Sequence, residues 1–155
     1  MKHSKIIGIL LIVCVAITFL SVASAAEIVI NGEKFNLPDS YQKDEASSTV
    51  TKTSTGTDEN VIYGNGLEFV TFAINAFNGG ATPNLPTGDN YTDKTIKGFE
   101  GKYRVDEWGN EEFNYINNNK LIYISKTPDC NLTFEDIIAE SAPEGSSGSV
   151  LDIFG

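Results

Sequence analysis

The stretch FEGKYRVDEWGNEEFNYINNNKLIYISK, residues 99–126, decides the fold. In Phe99–Val105 the residues Phe99, Tyr103 and Val105 share a side with Gly101, while Glu100, Lys102 and Arg104 take the other. That period of two marks a strand with one wet face. Trp108-Gly109-Asn110 turns the chain into Glu112–Asn117, with Phe113 and Tyr115 pointing inward. Asn117-Asn118-Asn119 supplies the next turn, because Asn accepts left-handed backbone better than other non-glycine residues. Lys120–Lys126 follows, with Leu121, Ile122, Tyr123 and Ile124 in a row, as a buried strand requires. Three strands joined by tight turns form an antiparallel meander.

Upstream, Leu67–Phe77 reads as the strongest strand. Phe69 and Ala73 fall on one face, and Val70, Phe72, Ile74 and Ala76 on the other, which predicts a central strand at least partly covered on both sides. Val61-Ile62-Tyr63 precedes it, and Gly64-Asn65-Gly66 makes the turn between them. Glu27–Pro38 carries a hairpin signal: Ile28-Val29-Ile30 and Lys34-Phe35-Asn36 flank Asn31-Gly32, a dipeptide that tolerates the positive φ of a two-residue turn. Between these pieces, residues 39–60 are rich in Ser, Thr, Asp and Glu and read as an irregular polar excursion. Asn78–Thr92 is a Gly-, Pro- and Asn-rich loop long enough to carry a job of its own.

Downstream, Thr133 reads as the N-cap of a helix over Phe134–Ser141. Glu135 and Asp136 occupy its first turn, where negative charge suits the helix dipole, and Phe134, Ile137 and Ile138 recur at helical spacing. Pro143 stops it. The expectation is an α+β fold: a mainly antiparallel sheet of about six to seven strands, with a C-terminal helix packed on one face. The domain spans 26–142, and 143–155 forms a tail in which Val150–Phe154 either docks as an extended piece or stays loose.

Residues 1–25 have the layout of an export signal. Lys2, His3 and Lys5 precede the apolar run Ile6–Leu20, and Ala23-Ser24-Ala25 offers small residues where a signal peptidase reads. An uncleaved membrane anchor is the alternative; the basic flank places the remaining chain outside in both cases. Val13 before Cys14, and the position of Cys14 in mid-run, argue against lipidation. The expected location is secreted or cell-surface.

Cleavage after Ala25 removes the only histidine, one of the two cysteines and two of the 11 basic residues. The formal net charge moves from −10 to about −12. Such a surface repels phosphate backbones and anionic lipids, so nucleic acid is not an expected partner, and a membrane is one only through an uncleaved N-terminal segment. Cys130, left alone, cannot pair within its own chain, and a cysteine nucleophile would lack an imidazole base. No serine sits in a nucleophile-elbow context, no glycine-rich phosphate loop follows a strand, and no His/Cys metal set exists. Catalytic residues, metal and cofactor are therefore all expected to be none. Gly88–Asp93 lacks the ligand spacing of a calcium loop and reads as a solvated turn, as do Glu107, Glu111 and Glu112.

The segments Asn31–Tyr41 (NGEKFNLPDSY), Thr95–Tyr103 (TIKGFEGKY) and Phe113–Ser125 (FNYINNNKLIYIS) resemble a group of small exported proteins from methanogenic archaea. The order of elements is also similar, more distantly, to the PsbP/Mog1-like fold. These resemblances imply location and topology, and the second implies a scaffold used mostly for binding.

Asn90-Tyr91-Thr92 and Asn131-Leu132-Thr133 are glycosylation sequons in loops, which makes Asn90 and Asn131 candidate acceptors. Tyr91 and Trp108 are the candidate ligand-contact aromatics, should they share one exposed region. The functional expectation is an exported, acidic module that binds an envelope polymer or a protein. Its rivals are a small two-carboxylate hydrolase of envelope polymers and a membrane-tethered accessory subunit. Partly buried carboxylates paired in a cleft would favour the hydrolase; scattered acids favour the binder.

Overall fold

The computed structural model describes residues 25–143. The expected export signal, apart from Ala25, and the expected tail beyond Pro143 lie outside the described residues. Ten strands and one helix follow in chain order: β1 (Ala25–Ile30), β2 (Glu33–Pro38), β3 (Gln42–Lys43), β4 (Thr49–Lys52), β5 (Gly56–Gly64), β6 (Phe69–Phe77), β7 (Thr92–Ile96), β8 (Phe99–Val105), β9 (Glu111–Asn117), β10 (Lys120–Lys126) and α1 (Phe134–Ile137). All strand pairs are antiparallel. The α+β reading holds, with a dominant antiparallel sheet and one short C-terminal helix.

The strand count exceeds the expected six to seven for two reasons. The polar excursion at 39–60 is an edge of the large sheet: β3 and β4 both lie along β5, which itself starts at Gly56. Between them Asp44–Ser48 loops out, and the Asp44 carboxylate accepts from the backbone of Ala46 at 3.0 Å. An edge strand wet on both faces needs no apolar alternation, which is why its Ser/Thr composition read as irregular. The second addition is β7. Lys97 (φ 48°) and Gly98 (φ 82°) form a tight turn that joins it to β8, so the meander has four strands.

β1 and β2 make a separate two-stranded sheet; the other eight strands form one sheet with β10 inserted between β6 and β9. Asn31 (φ 48°) and Gly32 (φ 79°) close the first hairpin, and Asn118 (φ 48°) and Asn119 (φ 58°) close β9–β10, as their sequence predicts.

One face of the large sheet is the core face. Val70, Phe72, Ile74, Ile122, Ile124 and Phe113 are fully buried there. The β1–β2 hairpin covers them through Ile30, Phe35 and Leu37, with the Phe35 and Phe72 rings 4.6 Å apart. α1 adds Phe134, Ile137 and Ile138. The helix is four residues long, not the eight expected over Phe134–Ser141. Ile138 leaves helical geometry (φ −72°, ψ 116°) and bridges Phe35 as a strand would. Burial of Ile138 against β2 outweighs a second helical turn, and Ala139 extends the bridge, its N–H donating to the Lys34 carbonyl at 3.3 Å.

Candidate functional site

The face opposite the core is set by the pleat and by the register of five strands. One row across it contains Thr71, Ser125, Glu112 and Arg104; the next contains Ala73, Tyr123, Asn114 and Lys102, then Asp93 on β7. Side chains directly opposite on neighbouring strands stand about 5 Å apart at Cβ, so each row is a line of touching groups. Neither hairpin β1–β2 nor α1 reaches this outer face; both pack on the core side.

At its centre Arg104 holds Glu112 with two hydrogen bonds, Nε to Oε2 at 2.5 Å and Nη2 to Oε1 at 3.0 Å. Glu112 is only 3% exposed, and the paired carboxylate in turn keeps the guanidinium charged. The Tyr91 ring lies under the same guanidinium, 4.9 Å from its carbon. Tyr123, half-buried, stands diagonally beside Glu112, and burial pushes its phenol above the ordinary range. Asn114 is 5% exposed, and its amide nitrogen has no hydrogen-bond partner among the described residues. Beyond these rows the long loop 78–91 returns past the sheet: Leu85 lines one cleft of about 320 Å³ with Asp93, Thr95 and Glu100, and another of about 450 Å³ with Glu100, Ile116 and Asn117.

Glu111 and Glu112 depart from the solvated turn that the sequence suggested. Adjacent on a strand, they point to opposite faces, and each meets a cation. Lys126 Nζ donates to Glu111 at 2.6 Å, and the Tyr103 hydroxyl donates to it at 3.0 Å. Burial pushes the Glu111 carboxyl up, but these two donors outweigh it and hold it below the ordinary value. Glu33, the other buried carboxylate, is neutralised by Lys120 at 2.7 Å and accepts from Asn117 at 2.8 Å. Glu33, Glu111 and Glu112 thus each have a cation of their own and face different regions.

The candidate aromatics divide. Trp108 is 74% exposed in the β8–β9 turn, where the Asp106 carboxylate accepts from the backbone of Trp108 (2.9 Å) and Asn110 (2.8 Å). Tyr91 is at the same end of the sheet, one residue before β7, but packs under Arg104 on the outer face. Both candidate glycosylation asparagines, Asn90 and Asn131, are exposed. Their sequon hydroxyls differ. Thr92 Oγ1 donates to the Tyr103 carbonyl at 3.3 Å, whereas Thr133 is the helix cap and donates to Asp136 at 2.7 Å while accepting from its backbone nitrogen. In Gly88–Asp93, Asp89 and Asp93 are exposed, and Asp93 pairs with Lys102 at 2.6 Å.

Sequence reasoning missed Glu112, Asn114 and Arg104 as a group. Centring the β8–β9 turn on Trp108 pairs 104 with 112 and 102 with 114; centring it one residue later, on Gly109, pairs different side chains.

No family model matches the chain, and neither a curated protein nor a solved structure matches it.

Proposed function

We propose that this protein is an exported, acidic binding module of the cell surface or exterior, engaging an envelope polymer or protein through the outer face of its large sheet. The observation that carries the reading is that face itself: a fixed array of Tyr91, Arg104, Glu112, Asn114 and Tyr123 which the hairpin and helix leave uncovered. Broad, ordered faces bearing aromatic rings and oriented polar groups suit recognition. The carboxylates weigh against the competing hydrolase. A general acid needs a raised pKa and a partner acid across a cleft, whereas Glu111 is lowered and Glu33 and Glu112 are each locked to a cation. The leading apolar stretch of sequence supports export.

The test is co-sedimentation with native cell envelopes. The full-length product isolated from its own cells is expected to pellet with envelopes, and Tyr123→Ala to remain in the supernatant while folded. Equal pelleting of the two, or release of product from a chromogenic envelope polymer, would count against the reading. Intact-mass measurement of the same material reports whether residues 1–25 are removed.

A further inference from the structure

Deepening the binding-module reading, on which it rests, we propose that the outer face takes a neutral polyhydroxylated chain, a polysaccharide segment, seated across Tyr123, Asn114 and the Arg104–Glu112 pair. Asn114 points to a ligand most directly. Its side chain is nine-tenths buried, and its amide nitrogen is unpartnered among the described residues. Native proteins satisfy the great majority of such donors, and one left open marks a place where an acceptor is still to arrive. A sugar hydroxyl or ring oxygen is such an acceptor.

The cross-strand neighbours of Asn114 fit that occupant. Tyr123 on β10 is half-buried, presenting an aromatic ring beside the amide for the apolar face of a pyranose. Lys102 on β8 flanks the other side, its ammonium paired with Asp93, whose side chain is 88% exposed. Surface pairs of this kind hold a lysine weakly, so the Lys102 side chain yields readily to a ligand arriving beside it. On the neighbouring row Glu112 holds the Arg104 guanidinium in a fixed plane, and the guanidinium, 29% exposed against 4% for the carboxylate, is the group of the pair left to donate to a hydroxyl.

Charge selects among polymers. Both cations of the face are already neutralised, Arg104 by Glu112 and Lys102 by Asp93, so no excess positive charge attracts a phosphate or uronate. The chain as a whole carries a formal net charge of −10, which repels anionic polymers further. An apolar peptide or acyl chain would strand the polar rows without partners.

The experiment is titration of the ¹⁵N-labelled protein with a glucose hexamer and an N-acetylglucosamine hexamer, with a galacturonate hexamer as the anionic control. One neutral hexamer is expected to shift the Asn114 side-chain amide and the Arg104 Nε resonance, and the galacturonate to shift neither. Asn114→Leu is expected to raise the thermal midpoint, because it removes an unsatisfied buried donor, and to weaken binding at least about tenfold. Tyr123→Ala, checked for retained sheet by circular dichroism, is expected to weaken it similarly. The proposal is overturned by silence of the outer-face resonances with both neutral hexamers at about 10 mM, by shifts confined to the Trp108 indole, or by undiminished affinity in Asn114→Leu. Envelope co-sedimentation separates the two levels. If pelleting survives periodate destruction of envelope glycans, the saccharide assignment fails and the binding module stands; if the untreated protein never pellets, the module reading fails.

Discussion

Tyr41 Oη lies 3.4 Å from Cys130 Sγ, a residue 89 positions further along the chain, and the same hydroxyl donates to Glu68. The contact welds the segment after β2 to the connection after β10. Cys130 is buried and free, and Asn131 next to it reaches Glu68 Oε1 at 3.5 Å. Cys130 is therefore expected to react with a thiol reagent only through opening of the fold. In Tyr41→Ala, which removes the ring and leaves a void beside the sulfur, labelling should accelerate at least about tenfold. A labelling rate in the native protein equal to that of the unfolded chain would refute the burial.

Arg104 and Glu112 form a cross-strand lock between β8 and β9 that one substitution can test. Arg104→Met leaves a buried carboxylate without its cation and is expected to cost about 2–4 kcal/mol in urea unfolding. Arg104→Met combined with Glu112→Leu should recover most of that loss, since no uncompensated charge remains. A double variant as unstable as the single one would show that packing, not charge, holds the two side chains.

Gly101 on β8 allows the chain to pass close over a ring. A Cβ built there would meet the Asn114 carbonyl and stand 2.6 Å from the Phe113 ring. Neither neighbour can retreat, because Phe113 is fully buried and Asn114 is fixed in the β8–β9 ladder. Gly101→Ala is thus expected to destabilise by about 2–3 kcal/mol through overlap, against about 1–2 kcal/mol at Gly66, where the space is open and only the positive φ is costly. Chemical denaturation of the two variants side by side checks the contrast.

The pH dependence has a definite sign at each end. Hydrogen bonds from Thr133 hold the Asp136 carboxyl below its ordinary value, and Glu111 is lowered by Lys126 and Tyr103 against the opposing effect of its burial. Lowered carboxyls stabilise fully above their unfolded values near about 4, and that stability disappears as pH falls through the folded values. Tyr41, Tyr103, Tyr115 and Tyr123 are raised, chiefly by burial. Their contribution is complete below an unfolded value near about 10 and is lost as pH rises beyond it. Urea midpoints should fall between pH 5 and pH 3 and again above about pH 10, with phenolate absorbance appearing together with unfolding. Phenolate absorbance that develops fully while the sheet stays intact would contradict the burial of these tyrosines.

The legible parts of the fold were those where a turn residue and a hydrophobic period agreed. Asn31-Gly32 and the run Asn117-Asn118-Asn119 mark the β1–β2 and β9–β10 turns in the sequence, and Asn31, Gly32, Asn118 and Asn119 close them with left-handed backbone. Lys97-Gly98 makes the same kind of turn but hides it, because lysine is an uncommon left-handed residue, and β7 went unseen with it. The edge strands β3 and β4 were invisible for another reason: both faces are wet, so no alternation betrays them. The outer face was half legible. Its polar positions follow from the period of β8, but which polar residues meet depended on the length of the Asp106–Asn110 loop, and the unpartnered amide of Asn114 follows from no local pattern.

Phe35 and Ile138 bridge the first hairpin to the residue that ends α1. A ribosome delivers these two residues with nearly the whole domain between them, so the bridge closes only once the final segment has emerged. Until then the fully buried Phe35, Phe72 and Phe113 have no complete roof. High contact order of this kind delays the finish of folding. A nascent chain halted before Ile138 should consequently remain protease-sensitive throughout, in a threadable state, whichever end leads.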